Sequence, residues 1–109
     1  MKNTIEVEKS SGNVFEDLGL PDAKEMYVKA ALAMKINGII KTRKLTQKEA
    51  GAILGVAQTR VSDLRRGHKL KNFSIDMLIS FLTKLDQDVE IVVKRKPRSH
   101  SVGEVRVAI

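Results

Sequence analysis

The apolar positions of this 109-residue chain fall into helical stripes with one β-branched run near the end. Val28, Leu32, Ile36 and Ile39 step by four, four and three, which predicts a long helix from Pro21 to about Lys41. Pro21 suits its first turn, Asp22 and Glu25 its positive end, and Lys41, Arg43 and Lys44 its negative end. Gly38 inside it either costs about 1 kcal/mol or marks close packing. Ala50, Ile53 and Leu54 give one face to a short helix, and Val61 and Leu64 give one to the next. Leu78, Phe81, Leu82 and Leu85 stripe another. Val89 to Arg95 alternates β-branched with polar residues and reads as a strand.

The punctuation is sharpest between Thr46 and Arg66. Thr46 and Glu49 have the spacing of a capping box, with Leu45 and Ala50 as a weak staple outside it. Gly55 stops that helix by entering the left-handed conformation, and Val56 plugs the angle to the next one. The second helix begins near Gln58 and is ended by Gly67. Its outer side, Gln58, Thr59, Arg60, Ser62, Asp63, Arg65 and Arg66, is rich in donors and acceptors and poor in apolar area. Such a surface packs badly on protein and suits a groove of base edges lined by phosphates. His68 to Phe73 is a basic loop, and Ser74 is a good N-cap for the next helix.

Charge sharpens the picture once it is divided. Residues 1–27 carry three basic and six acidic side chains, a net −3. Residues 28–85 carry twelve and three, a net +9, and residues 86–109 five and four, a net +1. The segment holding the paired short helices is thus where a phosphate-facing surface is expected. The absence of cysteine excludes disulfides and thiol catalysis and fits a cytoplasmic protein. No apolar run approaches the ~20 residues of a membrane span, and the start of the chain has no signal-peptide pattern. Three Phe, one Tyr and no Trp leave the core to leucine, isoleucine and valine.

We therefore expect a mainly α fold in three parts: a flexible N-terminal arm (1–20), a helical domain (21–86), and a C-terminal strand and tail (87–109). In the arm, Val14, Phe15, Leu18 and Leu20 either fold back on the first helix or dock on a partner. A lone strand needs a mate for its backbone. The mate is either the last stretch, with Val105, Val107 and Ile109, or the same strand of a second subunit. The second choice is preferred because it also builds a dimer through Val89, Ile91 and Val93.

The run Leu45-Thr46-Gln47-x-Glu49-x-Gly51-x-x-Leu54-Gly55-Val56-x-Gln58-x-x-Val61-Ser62-x-Leu64 resembles the helix-turn-helix of the phage-repressor-like XRE/Cro family. The resemblance implies a bundle of four to five helices with a C-terminal β-strand. Ala57 departs from the serine, threonine or aspartate that often caps the recognition helix, a change of about 1 kcal/mol. The opening Val-Phe-Glu-Asp-Leu-Gly-Leu-Pro-Asp-Ala, the long helix, the motif and then Asp-Val-Glu-Ile-Val-Val are similar to one branch, the HigA-type antitoxins. That resemblance covers about residues 13–96 and implies a dimer that represses its own operon and neutralises a RelE/HigB-like ribonuclease toxin.

On this reading the partner is double-stranded DNA carrying an inverted repeat. Gln58, Thr59, Arg60, Ser62 and Asp63 are the base-contacting candidates. Gln47, Arg43, Lys44, Arg65, Arg66, Lys69, Lys71 and Asn72 are the backbone-contacting ones. Gln58 can pair bidentately with adenine, Arg60 can bridge guanine or hold a phosphate, and Asp63 can accept from cytosine. Rival readings are a stand-alone phage-type repressor, or a protein whose main task is to bind a toxin through its acidic arm. An enzyme is not expected. His68 and His100 form no metal-ligand spacing, no glycine-rich phosphate loop follows a strand, and no cofactor is expected.

Overall fold

The computed structural model describes residues 22–99 and 101–109. The docking candidates Val14, Phe15, Leu18 and Leu20, together with Pro21 and His100, lie outside them. Among the described residues there are four α-helices, α1 (Ala23–Thr42), α2 (Gln47–Leu54), α3 (Gln58–Arg66) and α4 (Ile75–Lys84). A 3₁₀ turn, Leu70–Asn72, joins the last two. No helix among them is long and apolar enough to cross a membrane.

The centre is α1. Leu32, Ala33, Ile36 and Ile40 pack with Leu54, Val61, Leu64, Phe73, Leu78, Phe81, Leu82 and Leu85 in one core. Ile40, not Ile39, takes the fully buried place at the end of the stripe; Ile39 is only half-buried. Tyr27 and Ala31 are buried apart from that core. The Tyr27 hydroxyl there accepts a hydrogen bond from the Val107 N–H at 3.1 Å. A helix covered on more than one side loses the clean polar face of a surface helix. Lys29 is buried as well, with its ammonium 2.8 Å from Glu25 one turn earlier, the favourable order for such a pair.

All four helices end on a left-handed residue: Lys44, Gly55, Gly67 and Asp86. After α1, the Lys44 N–H donates to the Lys41 carbonyl and the Leu45 N–H to Ile40, the paired bonds of a Schellman ending. After α4, Asp86 and Gln87 repeat the pattern on Thr83 and Leu82. Lysine and aspartate adopt this conformation at a cost of roughly 1–2 kcal/mol that glycine does not bear. The two endings are tied together by Arg43, which donates to the Leu85 carbonyl at 2.6 Å and lies 3.5 Å from the Asp86 carboxylate.

Two sequence expectations need correction. Ile53 is 39% exposed, whereas Ala50, Gly51 and Leu54 are buried. With no side chain at Gly51, the buried side of α2 rotates toward that position and leaves Ile53 at the edge. The expected strand over Val89 to Arg95 is also not seen among the described residues of one chain, where the last stretch has a single bridging residue, Ala108. The tail reaches α1 through the bond from Val107 to Tyr27. Val89 packs on the core, while Ile91 and Val93 are exposed.

Gly38 is exposed in α1, and a Cβ built there meets nothing within 4 Å. The close-packing alternative is therefore removed, leaving the propensity cost alone. Gly38→Ala is expected to stabilise the fold by about 1 kcal/mol, seen as a raised midpoint in urea with an unchanged slope.

Candidate nucleic-acid interface

The interface is assembled from the end of α2 outward. Thr46 and Glu49 form the complete capping box: the Glu49 N–H donates to Thr46 Oγ1 at 3.0 Å, and the Thr46 N–H to Glu49 Oε1 at 2.8 Å. At the other end Gly55 has φ 76°, and the N–H groups of Gly55 and Val56 both donate to the Gly51 carbonyl, at 2.8 and 3.0 Å. The turn lies so close to α2 that a Cβ on Gly51 would stand 2.7 Å from the Val56 carbonyl oxygen. Three residues then suffice to swing the chain into α3.

Two side chains from the scaffold fix the helix ends. Lys84 of α4 donates to the Leu54 carbonyl at 3.1 Å, and Asn37 of α1 donates to the Leu64 carbonyl at 3.0 Å. Lys84 reaches a carbonyl at the end of α2 that lacks an intrahelical donor, and Asn37 adds a second donor to the Leu64 carbonyl, which also accepts from the Gly67 N–H at 3.2 Å. The Lys84 ammonium also complements the negative end of α2. Behind α3, Val61 and Leu64 have no exposed surface. The helix is thus held from its inner side and at its far end, with its start and its outer side uncovered.

Thr59, Ser62, Asp63 and Arg66 share that outer side at helical spacings of three and four. Gln58, Thr59, Arg65 and Arg66 are exposed, and Ser62 and Asp63 are half-buried. Lys44, Lys69, Lys71 and Asn72 are exposed as well, and Gln47 sits half-buried at the first position of α2. A helix about 10–12 Å across, rimmed by cations, matches the roughly 12 Å width of a B-DNA major groove.

Known proteins give the same reading. A family model for helix-turn-helix domains matches residues 14–94. A solved structure of an XRE family transcriptional regulator is 45% identical, with a TM-score of 0.75 over 80% of this chain and 97% of that one. The chain belongs to the XRE family of helix-turn-helix transcriptional regulators. A search of curated proteins gives no match.

In this XRE regulator two arginines expected at DNA are engaged elsewhere. Arg43 binds the end of α4, as described. The Arg60 guanidinium lies over the Phe73 ring, 4.0 Å from its centre, and donates to the Asn72 carbonyl at 3.2 Å. Of the other candidates, Thr59, Ser62, Asp63 and Arg66 share one side of α3, and Lys69, Lys71 and Asn72 lie on the turn that follows it. Sequence reasoning missed the positioning residues Asn37 and Lys84 and the close approach at Gly51. Asn37 left one trace, a polar residue directly after the buried Ile36. Lys84 left none, because a lysine in a last helical turn is explained by its own helix dipole.

Helix α3 starts at Gln58 as expected, with Ala57 before it. Ala57 occupies the N-cap with the extended φ and ψ of −69° and 155°, and no side chain caps the helix. Ala57→Ser is expected to stabilise the regulator by roughly 0.5–2 kcal/mol in equilibrium denaturation, because the backbone already holds the geometry a capping hydroxyl needs.

Proposed function

We propose that this XRE regulator is a sequence-specific repressor that binds double-stranded DNA as a homodimer on an inverted repeat. The observation that carries the reading is the outer side of α3. Gln58 and Thr59 stand exposed at the start of a helix whose inner side and far end are fixed, within a basic rim. Gln58 is the principal base reader, with Thr59, Ser62 and Asp63 beside it. Lys44, Arg65, Arg66, Lys69, Lys71 and Asn72, with Gln47 at the start of α2, hold phosphates. The exposed β-branched residues Ile91 and Val93 support dimerisation through this segment, since exposed apolar side chains favour burial against a second chain. Two recognition helices about 34 Å apart then face one side of the duplex.

The finer reading is an autoregulating antitoxin of a type II toxin–antitoxin pair, with the arm 1–20 separate from the DNA-binding domain 21–86 and the strand and tail 87–109. It is supported by the HigA-like arrangement of the chain and by the net −3 of residues 1–27, which suits a cationic ribonuclease. Val14, Phe15, Leu18 and Leu20 are the apolar contacts it calls for.

Gln58→Ala is expected to weaken the preferred operator by about 1–3 kcal/mol and to spare random duplex, whereas Lys69→Ala weakens both and flattens the salt dependence by about one unit of slope. Titration of both duplexes at several salt concentrations checks this; equal loss on the two duplexes for Gln58→Ala rejects its role as a base reader. Deleting residues 1–20 is expected to leave operator binding intact and abolish capture of a small basic RelE-like protein encoded beside this one. Toxin capture that survives the deletion removes the arm from the toxin contact.

A further inference from the structure

Arg60 lies within the recognition helix, yet its guanidinium turns away from the outward side. It stacks over Phe73, and one terminal nitrogen lies 3.2 Å from both the Asn72 carbonyl oxygen and the Met77 sulfur. Phe73 is itself fully buried and meets Phe81 edge-on, with ring centres 6.3 Å apart at 74°. The far end of Arg60 is therefore seated on the core, not poised over a groove. To read guanine it would have to leave the ring and both acceptors, and extend its fork to O6 and N7.

What Arg60 grips is the end of the 3₁₀ turn. Lys69 opens that turn with a left-handed φ of 57°, and Asn72 closes it. Lys69 and Lys71 project from it into solvent. A planar guanidinium can stack on a ring with its face and donate from its edge at once, which an ammonium cannot do in the same way. Through these contacts one side chain couples the helix that faces the bases to the turn that carries two cations.

We propose that Arg60 is a positioning residue for DNA binding. It holds the Lys69–Asn72 turn at a fixed height beside α3, so that Lys69 and Lys71 reach phosphates while Gln58 and Thr59 reach bases, and it reads no base itself. This rests on the DNA-binding reading above and assigns Arg60 a different role from its neighbours.

The test is a double-mutant cycle on the full chain. Wild type, Arg60→Met, Lys69→Ala/Lys71→Ala and the triple variant are titrated with a duplex selected by the wild type from a random pool, and with a random duplex, across a salt series. Arg60→Met is expected to weaken both duplexes about tenfold and to flatten the salt slope by up to about 2, the worth of two phosphate contacts. In the Lys69→Ala/Lys71→Ala background the same change should cost less than about twofold, because the groups it positions are gone. An undiminished loss in that background, a loss confined to the selected duplex, or a relaxed preference at one base pair overturns the inference and makes Arg60 a direct contact. A wild type that selects no sequence and binds without salt dependence rejects the DNA reading itself, which separates that failure from the others. If Arg60→Met does not fold, Arg60→Lys, which keeps the charge but loses the planar fork that stacks and donates at once, goes through the same cycle with the same criteria.

Discussion

The angle between α2 and α3 rests on one close approach of backbone to backbone. Gly51 allows the turn at Val56 to lie directly on α2, with its carbonyl receiving two N–H groups from the turn. Any side chain there would push that turn outward. Val61 is the next group to feel it, since its methyl stands 3.7 Å from where the Cβ would be. Val61 and Leu64 reach the core only if the turn is tight, and the polar side of α3 points outward only if they do. Interiors pack like crystals of small molecules, so a displacement of an ångström at the turn is carried into the helix rather than absorbed.

The rest of the scaffold holds this arrangement by lending side chains across helices. Asn37, Arg43 and Lys84 each give donors to the final carbonyls of a helix other than their own. Such carbonyls are costly when left without partners, and a cationic donor also offsets the helix dipole. The consequence is a division of labour within a strongly basic surface. Arg43, Arg60 and Lys84 are committed to the protein, while Lys44, Arg65, Arg66, Lys69 and Lys71 stand exposed. Net charge alone does not tell these two groups apart.

Much of the fold was legible in the residues. Thr46 with Glu49, Gly55, Gly67 and Ser74 mark helix ends through local chemistry that operates wherever the chain is placed, and each holds in the structure. The left-handed endings at Lys44 and Asp86 were not legible. Lysine has no local preference for that conformation and aspartate only a weak one, and Arg43 reaches the α4 ending only after α1 and α4 have met. Ile53 was misplaced for a related reason, since the buried side of an eight-residue helix depends on where its neighbour approaches. The site was legible as a set of polar residues on α3. Its internal division was not, because an arginine at Arg60 has the same appearance in sequence whether it faces a groove or folds back on a ring. The segment from Val89 to Arg95 shows the opposite limit: its composition states a preference for strand, but the ladder needs a second edge.

The bond between Tyr27 and the end of the chain has a practical side. Tyr27 is the sole tyrosine, and tryptophan is absent, so ultraviolet emission from the protein comes chiefly from one phenol. That phenol is buried on α1 with its oxygen bound to the Val107 amide. The molecule thus carries an optical reporter of whether its last residues are seated, needing no label.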